Sequence, residues 1–190
     1  ISGGVTVWFG AEESAKSMMA MGAAVVVASG GEVAGMLAEL SGPVVHLDWE
    51  DGANTHRERL RSICAGAGVD YEQTPVWHVR MTASLKESAR DIRRLVAEIG
   101  AVLVIVDSIG MACGGDPSEA GRIVETMQAA RSLGVPVLAI HHLPKDSRDK
   151  SRPYGSVYAA AEARMTWLVE KDEEAQVANG SLRLALTNKK

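Results

Sequence analysis

Cysteine is scarce in this chain, which carries only Cys64 and Cys113 among its 190 residues. The two stand apart from each other at no spacing that metal-binding cysteines use, and the sequence shows no secretion signal. These observations exclude a disulfide-stapled scaffold and a cysteine-based zinc site as the basis of the fold. We expect both thiols to be reduced and the protein to be cytoplasmic.

Long hydrophobic runs and an excess of positive charge are also missing. The apolar stretch 18–28 ends at Ser29, well short of the roughly 20 residues that span a bilayer, so we expect a soluble protein with no membrane partner. Lys and Arg number 20 against 24 Asp and Glu, giving a net charge of −4. The surface as a whole does not attract nucleic acid, and any such contact must use a local basic segment.

The pattern along the chain is an alternation of strand-like and helix-like segments, which predicts an α/β fold with a mainly parallel central sheet. Capping boxes predict helix starts at Thr55 and Ser84, and Pro117 predicts another. Two strand-like runs, 164–171 and 182–188, flank a polar turn and predict a terminal hairpin. A length of 190 residues with 46% hydrophobic content suits one domain over 1–190.

The chain begins at Ile1 without a methionine and stops at Lys190 just after a strand-like run. We therefore expect a fragment of a longer protein.

Residues 10–17 nearly match a phosphate-binding loop. They follow the strand-like run 5–9 and precede the helix-like run 18–21. In the pattern Gly-x-x-x-x-Gly-Lys-Ser/Thr, backbone N–H groups wrap the phosphates, the lysine neutralises charge and the hydroxyl holds Mg²⁺. Gly10, Lys16 and Ser17 occupy three of the four fixed positions. We predict that the whole loop binds nucleotide, through Gly10, Ala11, Glu12, Glu13, Ser14, Ala15, Lys16 and Ser17.

Two departures from that pattern leave a second interpretation open. Ala15 replaces the second glycine, at a position that commonly needs a positive φ, where a Cβ costs roughly 1–2 kcal/mol. Glu12 and Glu13 add negative charge beside the expected phosphates. The alternative is a nucleotide-binding module whose loop has lost its tight hold on phosphate.

Asp107 ends the apolar run 103–106, as expected of a buried parallel strand that delivers an acid to its carboxyl end. Ligands of open α/β sheets bind at that edge. An aspartate there, near the hydroxyl of Ser17, predicts a Mg²⁺ site formed by Ser17 and Asp107. The alternative role for Asp107 is that of a helix cap or turn residue.

Two more strands end in residues suited to chemistry. The run 43–49 leads to Glu50, and a carboxylate beside the Asp107 strand of a P-loop ATPase can activate the attacking water. Alternation turns Asp48 to the same side, so the pattern leaves both acids open. His142 ends another strand, where it could sense the γ-phosphate; a capping or core histidine is the alternative.

The segment 143–155 is the most basic stretch, with four cations at Lys145, Arg148, Lys150 and Arg152. Long basic loops at the functional edge of a sheet can follow a nucleic-acid backbone, and Tyr154 could stack on a base. We predict a DNA-binding segment here, with a solvated loop as the alternative.

Together these elements resemble a known family. Five of them carry the resemblance, in chain order the loop at 10–17, Glu50, Asp107, the pair His141-His142 and the segment 152–156. The order is similar to that of the RecA-like AAA ATPases of phages and plasmids, in particular the RepA-type hexameric replicative helicases. The resemblance covers essentially the whole chain. It implies a three-layer RecA-like P-loop NTPase core with a C-terminal β-hairpin.

The resemblance also implies roles for the matching residues. Lys16 and Ser17 would bind phosphates and Mg²⁺, Asp107 would support the metal, and Glu50 would be the catalytic base, which decides between the two acids of its strand. His142 would couple the state of the γ-phosphate to a DNA-binding loop, here the basic segment.

Members of that family form rings in which a basic residue of one subunit enters the ATP site of its neighbour. Lys189 and Lys190 are the candidates here, and Arg164 is a candidate subunit-contact residue. The resemblance thus implies an ATP- and Mg²⁺-dependent DNA helicase or translocase of phage or plasmid replication, acting on single-stranded DNA as a hexamer. A RecA-like recombination or regulatory ATPase that does not unwind DNA is the alternative.

Overall fold

The computed structural model describes residues 4–143, 153, 158–172 and 183–190. The strands of these residues are β1 (Val5–Gly10), β2 (Glu32–Val33), β3 (Met36–Leu37), β4 (Val44–Asp48), β5 (Val76–Arg80), β6 (Leu103–Asp107), β7 (Val137–His142), β8 (Met165–Lys171) and β9 (Leu184–Asn188). The α-helices are α1 (Lys16–Ser29), α2 (Ala53–Ala67), α3 (Leu85–Ile99), α4 (Ile109–Ala112), α5 (Ala120–Arg131) and α6 (Tyr158–Glu162).

Within the described residues, seven strands form the main sheet in the order β5-β4-β6-β7-β1-β8-β9. All neighbours are parallel except β9, which runs antiparallel to β8. The predicted α/β fold with a mainly parallel sheet and a terminal hairpin is therefore confirmed. Because the parallel strands end at one edge, the residues that follow β1, β4, β6 and β7 are brought together there.

The central strands are buried on both faces, which explains their continuous apolar sequence. Val104 and Val106 of β6 pack in the cluster that includes Ile92 of α3 and Ile123 of α5. Ile105, between them, packs in the cluster that includes Ala20 and Ala24 of α1. Helices thus cover both faces of the sheet, giving the three layers that the resemblance implied.

Of the three predicted helix starts, one is confirmed and two are wrong. The capping box at Ser84 is confirmed, since Ser84 Oγ accepts a hydrogen bond from Glu87 N and the Glu87 carboxylate accepts one from Ser84 N. The start at Thr55 was wrong, because α2 already begins at Ala53 after an extended Gly52. The start at Pro117 was also wrong: the carboxylate of Asp116 accepts a hydrogen bond from Ser118 N, which holds a turn, and α5 begins only at Ala120.

The small hairpin of β2 and β3 was not predicted from the sequence. Each of its strands has two residues, too few for an alternating pattern to show. It packs on α1, where a Cβ on Gly22 would lie 3.4 Å from Met36 Cε and 3.5 Å from a methyl of Val33. In the part of the chain that the structure describes, no helix combines the length and apolar character needed to cross a membrane.

Candidate nucleotide-binding site

The phosphate-binding loop lies between the end of β1 and the start of α1. Ala15 has φ 63° and ψ 22°, so it adopts the left-handed conformation that the glycine of the pattern would provide. Glu13 also has a positive φ, of 59°. Only glycine fits at position 10, because a Cβ there would lie 2.3 Å from the carbonyl oxygen of Val169. The loop therefore keeps the backbone turn of the pattern although one glycine is replaced.

Lys16 is buried, and its ammonium is held inside the loop. Its Nζ donates hydrogen bonds to the carbonyl oxygens of Gly10 (3.1 Å) and Ala11 (2.5 Å) and to Ser14 Oγ (3.2 Å). Burial lowers the pKa of Lys16 below its usual value, an effect opposed by nearby carboxylates, those of Asp107, Glu50 and Glu12. The ammonium thus lies where hydrogen bonds to carbonyls could be exchanged for bonds to phosphate.

Glu50, Ser108 and His142 meet at the carboxyl edge of the sheet. Glu50 Oε1 accepts a hydrogen bond of 2.6 Å from Ser108 Oγ and lies 3.4 Å from His142 Nε2. The bond with His142 and then the bond with Ser108 hold the pKa of Glu50 below its usual value, although partial burial opposes them. Both contacts are made by Oε1, so among the described residues Oε2 keeps its lone pairs for a water molecule.

Asp48 has a different role from Glu50, and the sequence pattern alone could not distinguish the roles of the two acids. Its Oδ1 accepts hydrogen bonds of 2.8 Å from the backbone N–H groups of Glu50 and Asp51, and its Oδ2 lies 3.1 Å from His78 Nε2. Asp48 is therefore a buried anchor for the turn that presents Glu50. Glu50 itself is exposed to the cleft, as a group that acts on solvent must be.

Asp107 ends β6 as a buried carboxylate with an unused oxygen. Its Oδ1 has no hydrogen-bond partner among the described residues, and its Oδ2 lies 3.8 Å from His46 Nε2. Buried carboxylate oxygens are rarely left unpaired, so this atom points to a ligand or water. Mg²⁺ takes hard oxygen ligands and keeps several waters, so the chemistry of the Asp107 carboxylate suits this ion, while its pairing with Ser17 stays a prediction.

A cluster of three histidines, of which His46 and His56 are buried and His78 is partly buried, contacts Asp107 and Asp48, and sequence reasoning missed it. The ring centroids of His46 and His56 are 5.1 Å apart, and those of His56 and His78 are 4.3 Å apart. Burial, followed by the neighbouring His46 and His78, lowers the pKa of His56 from 6.5 to about 3. The three residues stand on two strands and a helix, so no local spacing could have revealed them.

The cleft at the phosphate loop has a volume of about 280 Å³. It is lined by the loop and the start of α1, by the turn after β4, by the end of β7 and by Arg59 of α2. Glu50 and His142 also line a neighbouring cavity of about 540 Å³, whose apolar wall is formed by Met111, Pro117 and Leu143. Of the predicted residues, loop positions 13–17, Glu50 and His142 share this cleft, whereas Gly10, Ala11, Glu12 and Asp107 are not among its lining residues. Arg59, which does line it, carried no sequence signal.

Comparison with protein families matches residues 1–148 to the family described as AAA domain. This chain belongs to the AAA domain family. No curated protein sequence matches it significantly. Among solved structures, it is similar to a KaiC-like protein from the hyperthermophilic archaeon Pyrococcus horikoshii OT3, at 20% sequence identity and a TM-score of 0.69. The match covers 100% of this chain and 79% of that one, and it supports the RecA-like fold.

The AAA domain is thus a RecA-like P-loop ATPase module, and the finer identification with RepA-type helicases stays a prediction. The basic residues predicted to contact DNA, Lys145, Arg148, Lys150 and Arg152, lie outside the described residues, as does Tyr154.

The C-terminal lysines of this chain lie at the opposite edge of the sheet from its own phosphate loop. Lys189 N bonds to the carbonyl of Thr166, at the start of β8, and Lys190 follows it. Lys190 Nζ donates to three carbonyls at the end of α6, those of Ala160, Ala161 and Ala163. Arg164, just before β8, is exposed. None of the three cations reaches its own nucleotide cleft, so any role at an ATP site would be in another subunit.

Proposed function

We propose that this AAA domain binds Mg²⁺-ATP and hydrolyses it by in-line attack of water, in the service of a motor that moves along DNA. The observation that carries the proposal is that Glu50 and His142 share one cleft with Lys16, while Ser108 holds Glu50 from the neighbouring cavity. A carboxylate of lowered pKa, a buried ammonium and a phosphate loop in one cleft are the parts that phosphoryl transfer to water needs.

In this proposal the loop N–H groups and Lys16 hold the β- and γ-phosphates. Lys16 would exchange its bonds to the carbonyls of Gly10 and Ala11 for bonds to phosphate oxygens. Ser17 and Asp107 would hold Mg²⁺, which supplies charge neutralisation at the phosphates.

Glu50 is the proposed general base. Its lowered pKa keeps it ionised at neutral pH, so that Oε2 can accept a proton from the attacking water. Ser108 and His142 fix the other oxygen and so orient the carboxylate. Removal of a positioned base typically costs 10²- to 10⁴-fold in rate, so Glu50 is the residue on which turnover should depend most.

Two contacts support coupling between the nucleotide cleft and the basic segment that follows β7. The carbonyl of Gly10 accepts hydrogen bonds from both Lys16 Nζ and Leu143 N, at 3.1 and 2.9 Å. His142, next to Leu143, contacts the proposed base Glu50. If Lys16 Nζ leaves the Gly10 carbonyl for a phosphate oxygen, the hydrogen bonding of that carbonyl changes. The same carbonyl binds Leu143 N, where the basic segment begins.

We propose that this segment, through Lys145, Arg148, Lys150 and Arg152, binds single-stranded DNA in a cytoplasmic helicase or translocase. Its turnover would drive phage or plasmid replication. The proposed assembly is a hexameric ring in which Lys189 or Lys190 reaches the ATP site of a neighbouring subunit. The lysines' position away from their own cleft supports a role in another subunit, although Lys190 would have to leave the carbonyls it now contacts.

The test is ATP turnover with and without single-stranded DNA, followed by strand displacement on a forked duplex. Turnover that DNA stimulates and that a Lys145→Ala/Lys150→Ala double variant loses, while the basal rate is kept, supports the DNA motor. Stimulated turnover without strand displacement would indicate the recombination or regulatory ATPase. Nucleotide binding without turnover would indicate a module with a degenerate loop.

A further inference from the structure

Arg59 is a cation of the nucleotide cleft that neither the sequence pattern nor the family resemblance identified. It lies in the second turn of α2 and lines the cleft together with Lys16, Ser17 and Glu50. Its guanidinium pairs with the carboxylate of Asp51, and about a third of its side chain is exposed (34%). The side chain can therefore reorient without disturbing the core.

The cleft needs a second cation if it binds a triphosphate. Among its described lining residues, carboxylates come from Glu13, Glu50 and Asp51, while the lysine and arginine side chains are those of Lys16 and Arg59. An ATP molecule brings several more negative charges to this space. Guanidinium groups suit phosphate because their planar fork can donate two parallel hydrogen bonds.

The backbone of Asp51 is held in place by hydrogen bonds, whereas the side chain of Arg59 can move. Asp51 N donates to Asp48 Oδ1 at 2.8 Å, and Asp51 O accepts from Arg80 Nη1 at 3.1 Å. The backbone of Asp51 is thus anchored from both sides. The side chain of Arg59 has no such anchor apart from Asp51 in the contacts of the described residues.

We infer that Arg59 binds phosphate oxygens of the nucleotide within its own chain and that Asp51 holds it in place while the cleft is empty. The inference rests on the proposed function. Arg59 and Glu50 line the same cleft, and Asp51, the partner of Arg59, directly follows Glu50, so Arg59 would lie near the terminal phosphate that the water activated by Glu50 attacks. Arg59 should therefore favour the triphosphate over the diphosphate, and it should do so in a monomer.

The experiment measures dissociation constants for ATP and ADP, with Mg²⁺, for the full chain and for Arg59→Ala and Arg59→Lys. Arg57→Ala is the matched control, because Arg57 is exposed on the same helix and bonds only to Asn54 among the described residues. We expect Arg59→Ala to weaken ATP binding about tenfold or more, the size of one lost charge-assisted hydrogen bond, and ADP binding much less. Arg59→Lys should recover part of the loss, and Arg57→Ala should bind as the wild type does.

Wild-type affinity for ATP in Arg59→Ala overturns the inference and leaves the proposed function standing. An equal loss for ATP and ADP also overturns it, since the effect would then not concern the terminal phosphate. A wild-type chain that binds neither nucleotide overturns the proposed function and this inference with it.

Asp51→Asn provides a second test that does not depend on how well Arg59→Ala folds. It should tighten ATP binding when Arg59 is present and have no such effect in the Arg59→Ala background. The same gain in both backgrounds would show that Asp51 acts on the phosphates directly, which contradicts its role as the resting partner of Arg59.

Discussion

Ser108 Oγ donates a hydrogen bond of 2.6 Å to Glu50 Oε1, joining the residue after β6 to the turn after β4. The two residues are 58 positions apart in the sequence and meet because their parallel strands are neighbours in the sheet. The bond fixes one oxygen of the proposed base and lowers its pKa. It connects the acid that should activate water to the strand that ends in the proposed metal ligand.

Ser108→Ala should therefore lower kcat for ATP roughly tenfold while the dissociation constant for ATP changes little, because the lost bond positions the base and not the nucleotide. It should also raise the pKa of Glu50 and move the acid limb of the pH–rate profile upward. Ser62→Ala is the control, since Ser62 is an exposed serine that bonds to its own helix. An unchanged kcat and pH profile would show that Ser108 does not orient Glu50.

Ala15→Gly should leave nucleotide binding unchanged or tighter, because Ala15 already has a positive φ that glycine adopts without strain. The variant should gain about 1 kcal/mol or less of stability, since relief of strain is offset by the entropy of the added glycine. Ala34→Gly, at φ 49° and outside the cleft, is the matched control for stability. A collapse of ATP affinity in Ala15→Gly would argue against the assigned loop.

The buried His56 should make stability depend on pH. Its pKa is about 3 in the folded chain against 6.5 ordinarily, so below pH 6.5 the unfolded chain takes up a proton that the folded chain does not. The free energy of unfolding should therefore fall as the pH drops from about 6.5 toward about 3, by about 2 kcal/mol at pH 5 from this residue alone. Urea unfolding between pH 5 and 8 would measure it, and His56→Leu should flatten the slope. Equal slopes would contradict the account.

Lys190→Ala should lower the melting temperature, whereas Lys189→Ala should not. The ammonium of Lys190 satisfies three carbonyls at the end of α6, an arrangement in which hydrogen bonds and the helix dipole both favour a cation, by about 1 kcal/mol. Thermal unfolding monitored by circular dichroism compares the two variants under the same conditions. Equal melting temperatures would show that these contacts do not stabilise the C-terminal region.

Much of the fold could be predicted from the sequence because parallel strands with helices on both faces produce continuous apolar runs. The loop at β1, Glu50 and His142 were also predictable, since each stands at the carboxyl end of such a run. Polar residues at those positions meet in any fold of this class. The resemblance to RecA-like ATPases identified the same edge and the same residues.

What the sequence did not reveal depends on contacts between distant elements. The alternation pattern alone could not choose between Asp48 and Glu50; the resemblance selected Glu50, and the structural difference is the pair of backbone N–H groups that Asp48 binds. The histidine cluster depends on the packing of α2 against β4 and β5. Arg59 is one of several arginines on α2, and nothing in their spacing distinguishes it from Arg57. The position of Arg59 in the cleft depends on how α2 packs in the folded chain.

The most direct test of the central claim compares ATP turnover and ATP binding for the wild-type chain and Glu50→Gln. Glu58→Gln, a change of the same chemistry on α2, is the control. The account predicts that Glu50→Gln binds ATP with near-wild-type affinity but loses turnover by about 10²-fold or more, while Glu58→Gln retains both. Wild-type turnover in Glu50→Gln would contradict the assignment of Glu50 as the base and with it the proposed mechanism.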